Sequence, residues 1–139
     1  MKKNVLVIDG QGGMLGKQLV SEVRKLIPDA QITAVGTNSA ATSVMLKAGA
    51  DRGATGENSV IVCAREADII VGPVGIVIAD SLLGEITAPM AAAVGGSPAY
   101  KILLPVNKCK NIIIGANGKS TSELIGEAIE KIKEICGIK

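Results

Sequence analysis

Residues 5–19 read VLVIDGQGGMLGKQL. The run NVLVI (4–8) is short and nearly all apolar, as in a strand covered on both faces. It breaks at Asp9 into a turn carrying Gly10, Gly12, Gly13 and Gly16. Leu15, Leu19, Val20, Val23, Leu26 and Ile27 then recur at helical spacing until Pro28. In a strand–turn–helix unit of this kind the first glycine allows a tight exit from the strand. A middle glycine lets a phosphate approach the backbone, and the last brings helix and sheet together. The N–H groups at the start of the helix would then face an anion.

The same rhythm continues outward. QITAVG (31–36) is a second strand, followed by a helix through about Lys47 that Asn38 or Ser39 can cap and Gly49 can end in a left-handed conformation. GADRGATGEN (49–58) reads as an irregular loop with room for a very short strand. A short buried helix near 58–66 feeding a third strand at 68–71 preserves the βαβ alternation. Pro73 and Gly75 break the chain, and VIADSLL (77–83) is expected to be a buried helix. Thr87 caps another, TAPMAAAVG, with Pro89 in its first turn. KILLPV (101–106) and NIIIG (111–115) are expected as strands four and five. The link between them is too short for a parallel crossover, which needs about a dozen residues or more, so the last strand is expected to run antiparallel. Ser120 and Glu123 form a capping box for a final helix whose broad apolar face holds Leu124, Ile125, Ala128, Ile129, Ile132, Ile135 and Cys136. The expectation is a single Rossmann-like domain over 1–139. It is an α/β three-layer sandwich of about five mostly parallel strands, in the order 2-1-3-4-5 with strand 5 antiparallel.

Composition narrows the chemistry. The 139 residues include no histidine and one aromatic, Tyr100, so the core must come from Ile, Val, Leu, Ala and Met. A histidine-based triad or zinc hydrolase is excluded within the chain, and no metal site is expected. Cys63, Cys109 and Cys136 are odd in number and widely spaced, which fits small core residues rather than a disulfide framework. With no histidine to activate them, a catalytic thiol is not expected. A formal charge of +2 and the lack of stacked aromatics argue against a nucleic-acid partner. The most apolar stretch, IIVGPVGIVIA (69–79), stops at Asp80, short of the ~20 residues a membrane span needs. Lys2 and Lys3 are followed only by Asn4 to Ile8 before Asp9, too little for a secretion signal, so a cytoplasmic home is expected.

Parallel α/β sheets bind ligands beyond the carboxyl ends of their strands. The candidates for cofactor contact there are Gly10, Gln11, Gly12, Gly13, Met14 and Gly16 after strand one, and Thr37, Asn38 and Ser39 after strand two. Gly72 and Gly75 follow strand three, and Asn107 follows strand four. Asp9, Glu57 and Lys108 are the candidates for catalysis. Asp9 could bind a ribose hydroxyl, hold a metal through phosphate or act as a base, or it could cap the N–H groups of its own turn. Thr37, Asn38 and Ser39 are equally suited to a ribose or 2′-phosphate and to capping the second helix. Arg52, Thr55, Glu57 and Asn58 join the set if the 49–58 loop folds over the same rim.

Gly10, Gly13 and Gly16 after the strand, with Leu19 and Val20 on the helix, resemble the nucleotide-binding turn of extended short-chain dehydrogenase/reductases. That resemblance implies NAD or NADP. The Tyr-x-x-x-Lys pattern of that family is absent, since Leu104 stands four residues after Tyr100, and Gly36, Thr37 and Asn38 replace its acidic residue after strand two. The phosphate loop of nucleoside triphosphatases is a poorer match, with Gln11 and Gln18 at two of its key positions. IDGQGG (8–13), GTNSAATSVMLKAGADRGATGEN (36–58), ADIIVGPVGIVIADSLLGEI (67–86) and LPVNKC (104–109) resemble a family of small bacterial proteins of unknown function, typical of Firmicutes. This second resemblance implies a Rossmann-like fold and no particular reaction. Three functions stay open. One is a binder of a small phosphate-bearing molecule, a nucleotide or dinucleotide, without reductase chemistry. Another is a small enzyme acting on nucleotides or sugar phosphates. The last is a structural or regulatory homo-oligomer, such as a homodimer burying part of 69–94.

Overall fold

The computed structural model describes residues 2–106 and 110–138. Five strands, β1 (Asn4–Asp9), β2 (Gln31–Gly36), β3 (Arg52–Thr55), β4 (Ile69–Pro73) and β5 (Tyr100–Leu104), form one parallel sheet in the order β3-β2-β1-β4-β5. The helices are α1 (Met14–Leu26), α2 (Ser39–Lys47), α3 (Glu57–Glu66), α4 (Ala88–Gly95) and α5 (Thr121–Cys136). Alternate residues of the central strands feed two cores. Val5, Val7, Ile32, Ala34, Ile69 and Val71 pack against Leu19, Val23, Met45, Ile129 and Ile132 of α1, α2 and α5. Leu6, Ile8, Val35 and Ile70 pack on the other face with Val60, Ala64, Met90 and Val94 of α3 and α4. Burial on both faces is why these strands read as unbroken apolar runs.

The four strands expected at 4–8, 31–36, 68–71 and 101–106 take their expected relative order, and helices form close to 58–66, at TAPMAAAVG and after Ser120. Thr87 and Ser120 both cap as expected, each accepting the N–H three residues on. The antiparallel fifth strand is wrong. The fifth strand is Arg52–Thr55, parallel and at the opposite edge, while residues 111–115 form no strand and leave Ile112 and Ile114 about 90% exposed. β-Branched composition makes a strand only where a neighbouring edge accepts it. An edge strand of four residues with one covered side, in contrast, carries no apolar signature. VIADSLL is not a helix either. A 3-10 turn, Val74–Val77, leads into a knot of turns where Asp80, Leu82, Leu83 and Gly84 have positive φ. Among the described residues no helix is long and apolar enough to cross a membrane.

At the amino ends of the strands, away from the glycine turn, Asp51 ties three segments together. Its Oδ2 accepts the Ile32 N–H at 2.8 Å and pairs with Arg24 at 2.6 Å, while Arg24 Nε donates to the Gly49 carbonyl at 3.1 Å. The Ile32 N–H, then the Arg24 guanidinium, hold the Asp51 carboxyl below its ordinary range against a smaller opposing effect of burial. A folded pKa below the unfolded value, near 3.9, means a contribution fully present above that value and lost as pH falls through the lowered one. Asp51→Asn should therefore reduce stability at neutral pH and flatten its fall from about pH 4 downward, measured by urea unfolding across pH. A curve parallel to the wild type would refute the assignment.

Candidate functional site

The strand register brings Asp9, Gly36 and Thr55 level at the carboxyl end of the sheet. Asp9 is 4% exposed. Its Oδ1 accepts the Gly10 N–H at 2.8 Å and its Oδ2 the Gly16 N–H at 2.7 Å. Helix α1 has no capping side chain at Gly13, its left-handed N-cap, so the carboxylate seven residues before Gly16 fills the helix terminus from the strand side. Of the alternatives for Asp9, this geometry is that of a cap. Burial pushes its carboxyl up, and the Glu85 charge adds to that. The N–H groups of Gly16, Gly10 and Leu15 oppose the rise without cancelling it.

A second carboxylate enters from the other side. Glu85, on the segment between the 3-10 turn and α4, places Oε1 2.8 Å from the Gln11 nitrogen and 3.0 Å from Asn38 Nδ2, and it accepts the Thr37 hydroxyl. Asn38 Nδ2 also donates to the Gln11 carbonyl at 2.9 Å, which locks the turn after β1 to the end of β2. Burial disfavours the Glu85 charge, but the Thr37 hydroxyl, the Gln11 N–H and the Asn38 amide together outweigh it and hold its carboxyl below the usual range. Gly10 is glycine because of this convergence. A Cβ there would lie 2.5 Å from Thr37 Oγ1, 2.8 Å from Glu85 Oε1 and 3.0 Å from Leu82 Cδ1. Gly12, by contrast, faces open space.

The structure gathers the expected residues unevenly. Gly10, Gln11, Thr37 and Asn38 meet, with Gly12 and Met14 exposed beside them. Asn38 also caps α2 by accepting the Ala41 N–H at 2.9 Å, and Ser39 is exposed on the first turn of that helix. Gly72 and Gly75 are buried. A Cβ on Gly72 would run into the Ile8 carbonyl, and Gly75 lies beneath Ser81, whose hydroxyl donates to the Gly75 carbonyl. Glu57, exposed at the start of α3, accepts the Thr87 hydroxyl at 2.5 Å and so joins α3 to α4. Arg52 stands at the amino end of β3, where Nε donates to Thr33 Oγ1 at 2.8 Å, away from the rim. Asn107, Lys108 and Cys109 lie outside the described residues. Among the described residues no lysine or arginine side chain hydrogen-bonds to Asp9, Glu85 or the turn. Burial pushes the Cys63 thiol up, which suits a packing residue better than a nucleophile. A groove of about 470 Å³ between α1 and α5, bordered by Ser21, Ile125 and Gly126, opens on the helical face and not at this rim.

Sequence reasoning missed Glu85. It lies 74 residues from Gln11, and a lone glutamate between Gly84 and Ile86 carries no motif.

A family model described as a domain of unknown function, DUF3842, matches residues 4–137. The chain belongs to the DUF3842 family. No curated protein matches the sequence. Among solved structures, the chain is similar to a dodecameric FMN-dependent Ubix-like decarboxylase from Escherichia coli O157:H7. The two share 13% identity at a TM-score of 0.47, over 100% of this chain and 96% of that one. A likeness that distant says nothing about ligand or assembly in this DUF3842 protein.

Asp9→Asn keeps the shape of the side chain but offers one acceptor oxygen where two backbone N–H groups point. Leaving one of them unsatisfied should cost about 1–3 kcal/mol, read as a lower midpoint in chemical unfolding. An unchanged midpoint would remove Asp9 from its capping role.

Proposed function

We propose that this protein binds a small phosphate-bearing ligand of the nucleotide or dinucleotide class, NAD and NADP included, at the rim formed by Gly10–Met14, Thr37, Asn38 and Ser39. One observation carries this reading. Three donors of different kinds, from two strand ends, converge on a single anionic oxygen, Glu85 Oε1. A backbone N–H, a hydroxyl and a carboxamide arranged in this way suit a phosphate oxygen as well as a carboxylate oxygen. Gly12 leaves the approach to the turn open. The rim lies at the carboxyl ends of parallel strands, the usual place for ligands on such sheets.

The reading is one of binding without reductase chemistry. Tyr100 sits at the amino end of β5, opposite Ile69, and is 65% exposed at the far end of the sheet. Asp9 has both oxygens committed to backbone N–H groups, which favours a structural over a catalytic role.

Isothermal titration of the folded protein with ADP, NAD and NADP tests the proposal. At least one should bind, and Asn38→Ala should weaken it about tenfold, the scale of one hydrogen bond to a charged group. Because Asn38 also caps α2, Thr37→Val serves as a second variant and should weaken the same ligand. The proposal falls if none of the three nucleotides binds, or if both variants bind as the wild type does.

A further inference from the structure

The donors that would receive a phosphate are already in use. Gln11, Thr37 and Asn38 all donate to the same atom, Glu85 Oε1. A ligand oxygen cannot share them with Glu85 in place, because the donors are spent and two anions at hydrogen-bond range repel. On the nucleotide reading above, we propose that Glu85 is an internal stand-in for the ligand's anionic group, and that its side chain withdraws when a phosphate group takes the same donors.

The segment carrying Glu85 is built to aim it there. Leu82 and Ile86, on either side, are 2% and 1% exposed and anchored in the core beneath α3 and α4. The Asp80 N–H donates to the Ile86 carbonyl at 2.7 Å and the Ile86 N–H to the Ser81 carbonyl at 3.2 Å, closing the segment on itself. Between the anchors the chain passes through Leu82 at φ 55° and Leu83 at φ 57°. Left-handed backbone at a branched-chain residue costs roughly 1–2 kcal/mol and persists only where surrounding contacts hold it. Leu83 itself is 92% exposed and contributes little packing in return. That strained path turns Glu85 inward onto the turn, and Gly10 leaves the space it enters.

Because both neighbours are anchored, release requires rotation of one half-buried glutamate side chain and no unpacking of the sheet. A tethered carboxylate also filters ligands. It competes with any anion for the seat, so a dianionic phosphate displaces it more readily than a monoanionic carboxylate does. A neutral nucleoside has no charge with which to claim the donors.

The test is titration calorimetry of wild type, Glu85→Ala and Glu85→Gln with ADP and with adenosine, the fold of each variant being checked by its thermal melt. Removing an internal competitor that occupies most of the population raises apparent affinity by the inverse of the open fraction. Glu85→Ala should therefore bind ADP about tenfold tighter or better, with adenosine little changed. Glu85→Gln, which keeps the size of the side chain and guards against loss of fold in the smaller variant, should also gain affinity for ADP. Weaker ADP binding in both variants would make Glu85 a ligand-holding residue and overturn the stand-in while leaving the nucleotide reading intact. Unchanged affinity, or an equal gain for adenosine, would also overturn it. Absence of ADP binding in all three proteins would remove both proposals for this ligand.

Discussion

A buried carboxylate at the end of the first strand organises the whole rim. Asp9 receives the N–H of Gly10 on one oxygen and that of Gly16 on the other, which fixes where the chain leaves β1 and where α1 begins. The intervening turn then has one available path. Gln11 adopts a φ of 50°, Gly13 a φ of 73°, and the Gly13 N–H closes back on the Gly10 carbonyl at 2.9 Å. In that shape the Gln11 N–H reaches Glu85 Oε1, and Thr37 and Asn38 at the end of β2 complete the donor set. The constraint has a cost. Burial raises the Asp9 carboxyl, and the second carboxylate nearby adds to the strain of keeping it charged.

Two acidic side chains thus divide the donors of a turn whose glycine spacing resembles a phosphate-binding loop. One caps the helix terminus from the strand end, both its oxygens taken by backbone N–H groups. The other reaches in from the segment after β4 and is half-buried, held by hydrogen bonds rather than by packing. At Gly16 the anion is built in and buried, whereas at Gln11, Thr37 and Asn38 it belongs to a half-buried side chain. The donors gathered beside the glycine motif thus differ from the set its spacing implies.

Legibility in the sequence followed burial. NVLVI, QITAVG and the strand before Gly72 are readable because both faces are covered, which demands mostly apolar residues, Thr33 being the one buried polar exception within QITAVG. The caps at Thr87 and Ser120 were readable because capping is chemistry between neighbours three residues apart. RGAT lies inside the loop in which only room for a very short strand is legible, because an exposed edge makes no such demand. NIIIG was misread because composition does not reveal whether an edge is available. VIADSLL was misread because nothing local announces a left-handed path through two leucines.

The order of the central strands, the helix faces, and the position of the glycine turn at the sheet's rim belong to the sequence itself, since each rests on periodicity or on contacts between near neighbours. Which atoms fill that turn belongs to the tertiary structure. Glu85 meets Gln11 across 74 residues and Asn38 across 47, and no local pattern encodes a contact made only when two strand ends and the segment after β4 are brought to one rim of the sheet.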